Sequence, residues 1–283
     1  MDDVEIELGP DAYKARMLPI LASMVPKYGC LAVTGEQGRI LTKGTVVFVK
    51  SDSAHFLLTA KHVVDGLLAL SERLEIIRAG HPSMPSFPRQ TLYISRADLF
   101  WSSEQLDLAV LRAPESLCQD PNTKWFDLRH GKRLIQHIRD RWEKTKSPYQ
   151  MLAIGHPNFG HLGGQLTTGQ WAEILSATAL PAVIVLLKPR PDGSTYMMLE
   201  MVEADPIQSE NTGPLAQKVF ETVKENPPSK SIDLGGISGG PLVTITISGN
   251  AEIVGIVTEG SVMEAEGSGV KLLRATPIDE VAV

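Results

Sequence analysis

A serine set among glycines is the first part of this sequence that could do chemistry. Ser238 lies in Gly236-Ile-Ser-Gly-Gly-Pro, and the alternating apolar strand Leu242-Val-Thr-Ile-Thr-Ile follows it. Glycines on both sides let the backbone take a tight path that a side chain would block. Such a path exposes the Ser238 hydroxyl and aims the amides of Gly236 and Ser238 at one point, which is the geometry of an oxyanion hole. The alternative is a turn at the entry to a strand, with an incidental serine.

A histidine and an aspartate in two other stretches could activate this serine. His62 follows the apolar strand in Phe56-Leu-Leu-Thr-Ala-Lys-His, and Asp107 interrupts the apolar strand Leu106-Asp-Leu-Ala-Val-Leu. An alcohol is a poor nucleophile at neutral pH, so it needs a base within hydrogen-bond reach. His62 would take the proton of Ser238 and later donate it to the leaving group. Asp107 would fix the tautomer of His62 and stabilise its cation. The order His, Asp, Ser is one of the known chain orders for such a triad.

Two units rich in β-strands would have to bring these residues together. Short apolar stretches separated by polar or glycine turns begin at Cys30 and return at Tyr149, a spacing that predicts barrels or sandwiches. The basic stretch between the two units has apolar residues spaced like a helix face. We interpret it as a helical connector, with a basic docking surface as the alternative. The predicted segments are an N-terminal helical extension over 1–29, a first β-barrel over 30–121, a connector over 122–148 and a second β-barrel over 149–283.

Composition and charge exclude several classes of function. The 283 residues are 43% hydrophobic and 21% charged, which is ordinary for a soluble globular protein. There are 27 Lys and Arg against 33 Asp and Glu, and the resulting net charge of −6 argues against nucleic acid as the main ligand. The acidic N-terminus lacks the basic start and apolar run of a signal peptide. No stretch approaches about 18 uninterrupted apolar residues, so we expect no membrane span.

Cysteine and histidine usage adds two further expectations. Cys30 and Cys118 are the only cysteines, and they could pair. Without an export signal, two free thiols in a reducing cytosol are favoured, which predicts a cytoplasmic protein. The sequence contains no Cys/His cluster, no paired-carboxylate motif and no phosphate-binding loop, so we expect no catalytic metal and no cofactor.

The three chemical stretches together resemble those of the trypsin-like serine proteases. Thr59-Ala-Lys-His-Val-Val is similar to the Thr-Ala-Ala-His box of that family, and Asp107-Leu-Ala-Val-Leu to its Asp-Ile-Ala-Leu-Leu strand. Gly236-Ile-Ser-Gly-Gly-Pro resembles its Gly-Asp-Ser-Gly-Gly-Pro box. Gly44-Thr-Val-Val-Phe-Val and Ile154-Gly-His-Pro resemble framework pieces of the bacterial members, those with a stand-alone peptidase domain.

The resemblance implies both a fold and an activity. The fold would be all-β, with two six-stranded antiparallel β-barrels of the chymotrypsin-like kind and a few peripheral helices. The activity would be that of an intracellular serine endopeptidase, which hydrolyses a protein or peptide substrate through an acyl-enzyme on Ser238. Val254-Gly-Ile-Val-Thr-Glu-Gly resembles the family strand that follows the nucleophile. An extended substrate would pair with this strand by β-addition.

The same resemblance implies the walls of a primary specificity pocket. Ile232 and Asp233 would lie in one wall, and the segment formed by Thr258, Glu259 and Gly260 would form another. A carboxylate of Asp233 or Glu259 that faced into the pocket would favour a basic substrate side chain. A carboxylate that faced solvent would carry no such preference.

Departures from the family pattern limit what is carried over. Ile237 stands where animal digestive members have an aspartate that receives the new N-terminus after precursor cleavage, so we expect no activation by that salt bridge. No peptide-binding PDZ domain is expected before the end at Val283, and Thr258-Glu259 replaces the specificity histidine of glutamyl endopeptidases. We expect activity to be limited by specificity or by an activating protein partner. A protease-like binding or scaffold module without turnover is the alternative function, and an esterase is a third.

Overall fold

Two β-sheets and a few helices form the described part of the chain. The computed structural model describes residues 19–20, 23–36, 40–52, 54–78, 92–145, 150–156, 178–201, 207–208, 236–246, 249–261 and 272–281. The predicted N-terminal helix over 11–24 lies mostly outside these residues, and the predicted surface excursion over 205–230 lies almost wholly outside them.

The first sheet carries the strand that leads to His62. Its strands are β1 (Tyr28–Thr34), β2 (Ile40–Ser51), β3 (Ala54–Ala60), β4 (Arg73–Ile77), β5 (Leu92–Ser95), β6 (Leu99–Ser103), β7 (Leu108–Arg112) and β8 (Phe126–Asp127). Seven of them follow the order β5-β4-β1-β2-β3-β7-β6, and β8 pairs with β2 outside this path. The pairs along the path are antiparallel, whereas β8 runs parallel to β2.

The second sheet carries the strand that follows Ser238. Its strands are β9 (Gln150–Gly155), β10 (Thr178–Pro189), β11 (Thr195–Met201), β12 (Ile207–Gln208), β13 (Pro241–Ile245), β14 (Ala251–Ser261) and β15 (Leu272–Pro277). The order is β11-β15-β14-β13-β9-β10-β12, and β11 also pairs with β10. This last pairing closes β9, β10, β11, β13, β14 and β15 into a ring of six strands, to which the short β12 is attached.

The all-β class predicted from the sequence is confirmed. The described residues are mostly β-structure with few helices, consistent with a chymotrypsin-like pair of barrels. The predicted strand number holds for the closed ring of the second sheet, whereas the first sheet has eight strands. One of the additional strands is β6, whose five residues are too few to give a clear alternating pattern. The chain reaches it through a tight turn in which Asp98 Oδ2 accepts the amide of Ser95 at 2.8 Å.

The helices whose bounds the structure gives pack against the sheets. They are α1 (Lys61–Leu68), α2 (Glu115–Cys118) and α3 (Leu128–Thr145), with 3-10 turns at Val25–Lys27, Arg96–Asp98 and Ile278–Glu280. Helix α1 begins directly after β3 and buries Val63, Val64 and Leu67. Helix α3 lies in the stretch expected to contain a connector and buries Ile135 and Ile138 completely. Its apolar face is therefore part of the protein core.

Alternation along β2 divides the interior into two clusters. Val46 and Phe48 belong to a cluster that lies within the first sheet and its helices. Val47 and Val49 point the other way and belong to a cluster that also contains residues of the second sheet. Thr45 is on this second side and is fully buried. The first sheet thus presents one face of β2 directly to the second sheet.

The cysteines and the helices bear on the expectations of free thiols and of no membrane span. Cys30, which is buried, and Cys118, which is partly exposed, are both free thiols. Within the described ranges no helix has the length and apolar character needed to cross a membrane. The cytoplasmic location stays a prediction.

Candidate active site

His62 and Asp107 form a doubly hydrogen-bonded pair at the end of β3. The backbone amide of His62 donates to Asp107 Oδ1 at 2.9 Å, and His62 Nδ1 lies 2.7 Å from Asp107 Oδ2. The amide of Lys61 also donates to the backbone carbonyl of Asp107 at 3.0 Å. A carboxylate accepts the proton at Nδ1, so the neutral ring has its lone pair at Nε2. Nε2 is the atom that a general base of this kind uses.

Asp107 has a left-handed backbone conformation, which its surroundings must stabilise. Its φ is 49°, in the left-handed region that few residues other than glycine adopt, although aspartate tolerates it better than most. Its amide donates to the Glu104 carbonyl at 3.2 Å. The carbonyl of the preceding Leu106 accepts the hydroxyl of Thr276, a second-sheet residue, at 2.8 Å. Both sheets therefore fix the position of this carboxylate.

The surroundings of His62 raise the pKa of its imidazole. The largest cause is the hydrogen bond to Asp107, which favours the cation, and partial burial opposes it. The negative charges of Asp107, Glu259 and Asp65 raise the pKa further. His62 is therefore neutral, and able to accept a proton, only above a pH that is higher than for an ordinary histidine.

Ser238 lies in a turn that packs closely on the first sheet. Its carbonyl accepts the amide of Thr45 at 2.9 Å, and the amide of Gly239 donates to the Val257 carbonyl at 2.7 Å. Gly236 and Gly239 have φ values of 90° and 85°. A methyl group on Gly239 would lie 2.1 Å from both the Thr45 carbonyl oxygen and Thr59 Oγ1. Only glycine fits there, which explains one of the glycines after the serine.

The same contacts bring residues 236–240, which we call the serine turn, to the end of β3. Thr59, three residues before His62, donates its hydroxyl to the carbonyl of Thr45 at 2.7 Å. Thr45 in turn holds Ser238, so the turn and the histidine are attached to neighbouring strands. The amides of Gly236 and Ser238 donate to no acceptor within the described residues, and the Ser238 hydroxyl makes no hydrogen bond within them. Among the described residues, Ser238 Oγ and His62 Nε2 are therefore not hydrogen-bonded to each other.

Ile237 anchors the turn in the core. Its side chain is fully buried in the cluster shared by the two sheets. A methyl group on Gly155 would lie 2.7 Å from Ile237 Cγ1, so the isoleucine fills the space above this glycine. Apolar packing thus occupies the position at which the animal digestive members of the resembled family carry an aspartate.

The residues expected to bind substrate are described in part. Thr258 is buried. Glu259 is exposed, and its Oε2 lies 3.0 Å from Nη2 of Arg274, so the two side chains form an ion pair. Gly260 pairs with Leu273 of β15. Ile232 and Asp233 lie outside the described residues.

Part of β14 next to the serine turn has one strand partner among the described residues. Residues up to Ile256 pair with β13, and Val257 exchanges hydrogen bonds with Gly239 and Gly240 of the serine turn. Beyond Val257, Glu259 and Gly260 pair with β15 after an irregularity at Thr258, and no described residue pairs with their other side. An unpaired strand edge can accept the backbone of an extended peptide.

Thr45 is the site residue that the sequence analysis did not single out. It was included only as part of a framework stretch at the start of an apolar strand. A hydroxyl residue on the buried face of an otherwise apolar strand was the available signal, because such a group needs a hydrogen-bond partner. Where the structure describes the chain, no three metal-ligating side chains group closely enough to hold an ion.

Solved structures similar to this chain include proteases. A crystal structure of a protease from M. tuberculosis in its active form matches with a TM-score of 0.47 at 17% identity, covering 95% of this chain and 83% of that one. A serine endoprotease from Yersinia pestis matches with a TM-score of 0.45 at 17% identity, covering 96% of this chain and 64% of the other. This chain therefore spans slightly less than two thirds of the Yersinia protein.

A third similar structure comes from work on coupled folding and binding of the disordered Sesbania mosaic virus VPg protein. Its TM-score is 0.42 at 14% identity, with coverage of 88% of this chain and 85% of that one. No family model and no curated protein matches the sequence.

Proposed function

We propose that the protein is a serine endopeptidase that uses Ser238 as nucleophile, His62 as general base and Asp107 as the group that orients the histidine. The observation that carries this proposal is the His62–Asp107 pair, at 2.7 Å, beside a strand that holds the serine turn through Thr45 and Thr59. A buried framework of this kind keeps a nucleophile and its base in a defined relation, which is what covalent catalysis requires.

The reaction would proceed in two halves. Ser238 Oγ attacks the carbonyl carbon of the scissile peptide bond while its proton moves to His62 Nε2. The amides of Gly236 and Ser238 stabilise the negative oxygen of the tetrahedral intermediate. The C–N bond then breaks as His62 donates the proton to the leaving amine, which gives an acyl-enzyme. Water, deprotonated by His62, hydrolyses the acyl-enzyme in the same manner and restores Ser238.

The substrate would be an extended segment of a protein. The edge at Glu259 and Gly260 that has no partner among the described residues lies just after Val257, which is bonded to the serine turn. A peptide strand that paired with this edge would bring its backbone carbonyl to the turn. Main-chain pairing of this kind binds many sequences, and side-chain pockets supply the selectivity.

A fluorophosphonate probe tests the proposal. Its phosphorus is attacked by an activated serine oxygen, an O–P bond forms and fluoride leaves. We expect intact-mass analysis to find one adduct on the wild-type protein and none on Ser238→Ala. Ser71→Ala, which removes an exposed serine at the end of α1, is the matched control and should label like the wild type.

Three results would change the conclusion. Folded wild-type protein that never labels would contradict the enzyme and favour a binding module. Equal labelling of Ser238→Ala would place the nucleophile elsewhere. Labelling with turnover of small esters but no cleavage of a peptide library would favour an esterase.

A further inference from the structure

Thr45 uses all of its polar groups to connect the serine turn with the two sheets. Its amide donates to the Ser238 carbonyl at 2.9 Å, and its hydroxyl donates to the Gly236 carbonyl at 2.7 Å. The amide of His156, at the end of β9, donates to the Thr45 hydroxyl at 3.2 Å. The carbonyl of Thr45 accepts the hydroxyl of Thr59 at 2.7 Å. The side chain is fully buried, so water does not compete for these bonds.

Two carbonyls of the turn are thereby held toward the protein. They belong to Gly236 and Ser238, the same residues whose amides would have to face the substrate. The Gly236 carbonyl belongs to the Gly236–Ile237 peptide, which lies in the chain between the amides of Gly236 and Ser238. Because Gly236 has a φ of 90° and no side chain, this peptide has several accessible orientations. The hydrogen bond from the Thr45 hydroxyl selects one of them, because a buried carbonyl that lost this partner would pay a desolvation penalty.

The backbone and the side chain of Thr45 make separable contributions. The backbone amide bonds Ser238 and the backbone carbonyl bonds Thr59, and any residue at position 45 keeps both groups. Only the hydroxyl reaches Gly236 and His156. A substitution that removes the hydroxyl at constant volume therefore releases the Gly236 peptide and leaves the rest of the turn attached.

We propose that Thr45 is a positioning residue for the reaction proposed above: its hydroxyl fixes the Gly236–Ile237 peptide, and with it the relative placement of the Gly236 and Ser238 amides that flank this peptide, before substrate arrives. This inference rests on the proposed function. Thr45 touches no reacting atom, and it acts through the turn.

The test compares Thr45→Val, which keeps the volume, with Thr45→Ser, which keeps the hydroxyl. The phosphonyl oxygen of a fluorophosphonate lies in the oxyanion hole during attack, so the maximal inactivation rate reports on that hole. We expect this rate to fall about tenfold or more in Thr45→Val, with the half-saturating probe concentration changed less than about twofold. Thr45→Ser should recover the rate to within about threefold.

Thr123→Val is the matched control. Thr123 is a buried threonine in the first sheet's loops, and its hydroxyl lies 3.3 Å from Asp120 Oδ2. We expect it to lose stability like Thr45→Val and to keep the wild-type inactivation rate. If both valine variants lose the rate equally, or if Thr45→Val and Thr45→Ser react equally fast, the positioning role is wrong.

Crystal structures of the two Thr45 variants keep the inference testable without activity. We expect the Gly236 carbonyl to turn away from position 45 in Thr45→Val and to keep its orientation in Thr45→Ser. An unchanged turn in Thr45→Val would overturn the inference. Wild-type protein that never labels would instead overturn the proposed function, so the two failures are distinguishable.

Discussion

At the scale of single residues, the pairing of His62 with Asp107 would set the pH range of the proposed reaction. The hydrogen bond and nearby carboxylates raise the pKa of His62, and only the neutral imidazole can accept the proton of Ser238. The rate should therefore fall as pH decreases through a value above the ordinary histidine pKa of about 6.5. Asp107 carries most of this effect on the pKa, because its hydrogen bond to His62 is the largest cause of the rise.

Replacing Asp107 by asparagine should change both the rate and its pH dependence. We expect the fluorophosphonate inactivation rate of Asp107→Asn at neutral pH to fall by roughly 10³ to 10⁴, because the amide no longer enforces the reactive tautomer. The acidic limb of the pH–rate profile should also move to lower pH, since the carboxylate that raises the pKa of His62 is gone.

Asp65→Asn is the control for this experiment. Asp65 acts on His62 only through its charge and forms an ion pair with Lys61. We expect a small shift of the limb in the same direction with a nearly unchanged maximal rate. A wild-type profile in Asp107→Asn would exclude His62 as the base that Asp107 orients.

At the scale of elements, the serine turn depends on close packing at the two residues that flank Ser238. Gly239 allows the close approach to Thr45 and Thr59, and Ile237 fills the shared core above Gly155. The turn is thus part of the packed interior, although its serine has to reach substrate. Stability of the core and readiness of the site are linked at this element.

A carboxylate at position 237 should disrupt both the stability of the core and the readiness of the site. Ile237→Asp would place a charge without a partner in a fully buried apolar site. We expect the free energy of unfolding to fall by about 3–5 kcal/mol, because a buried unpaired charge is costly. Probe labelling should be lost with it. Chemical denaturation monitored by tryptophan fluorescence measures the first effect.

Ile237→Val separates packing from charge. Removal of one methylene group should cost about 1 kcal/mol and leave labelling intact. Ile237→Asp with wild-type stability and labelling would mean that the aspartate finds a partner. In that case an activation salt bridge of the kind found in animal digestive members would be within reach of this protein.

At the scale of the whole molecule, the two sheets share one core. The larger buried cluster contains residues of β1, β2 and β3, of β9, β13, β14 and β15, and of α3. Helix α3 also holds the end of the second sheet, because Lys132 Nζ donates to the Val281 carbonyl at 2.8 Å and Arg139 pairs with Asp279. The candidate site lies where the two sheets meet, so it exists only when both are folded.

This arrangement predicts one cooperative unfolding transition. Leu57→Ala removes a side chain from the first sheet's own cluster, and Leu242→Ala removes one from the shared cluster. Each should cost about 2–5 kcal/mol. We expect differential scanning calorimetry to find a single peak that both variants shift to lower temperature. Two peaks, of which each variant moves only one, would contradict a shared core.

The sequence by itself determined the features that are local in the chain. Alternation of apolar residues identified most strands, and the residue types of His62, Asp107 and Ser238 indicated the chemistry, because a period of two and a glycine-flanked serine need only neighbouring residues to be recognised. It missed β4 and β6, whose five residues each are too few to show a clear period. The catalytic roles themselves stay predictions until the probe experiment is done.

Only the tertiary structure decided which distant groups meet. The hydroxyl of Thr45 reaches the Gly236 carbonyl across 191 positions, and the carboxylate of Glu259 turns to Arg274 on the neighbouring strand. Asp107 has a positive φ, its carboxylate accepts the amide of His62, and the carbonyl of the preceding Leu106 accepts the hydroxyl of Thr276. Such contacts depend on how the sheets pack and on the register of their strands, which no local pattern of residue types encodes.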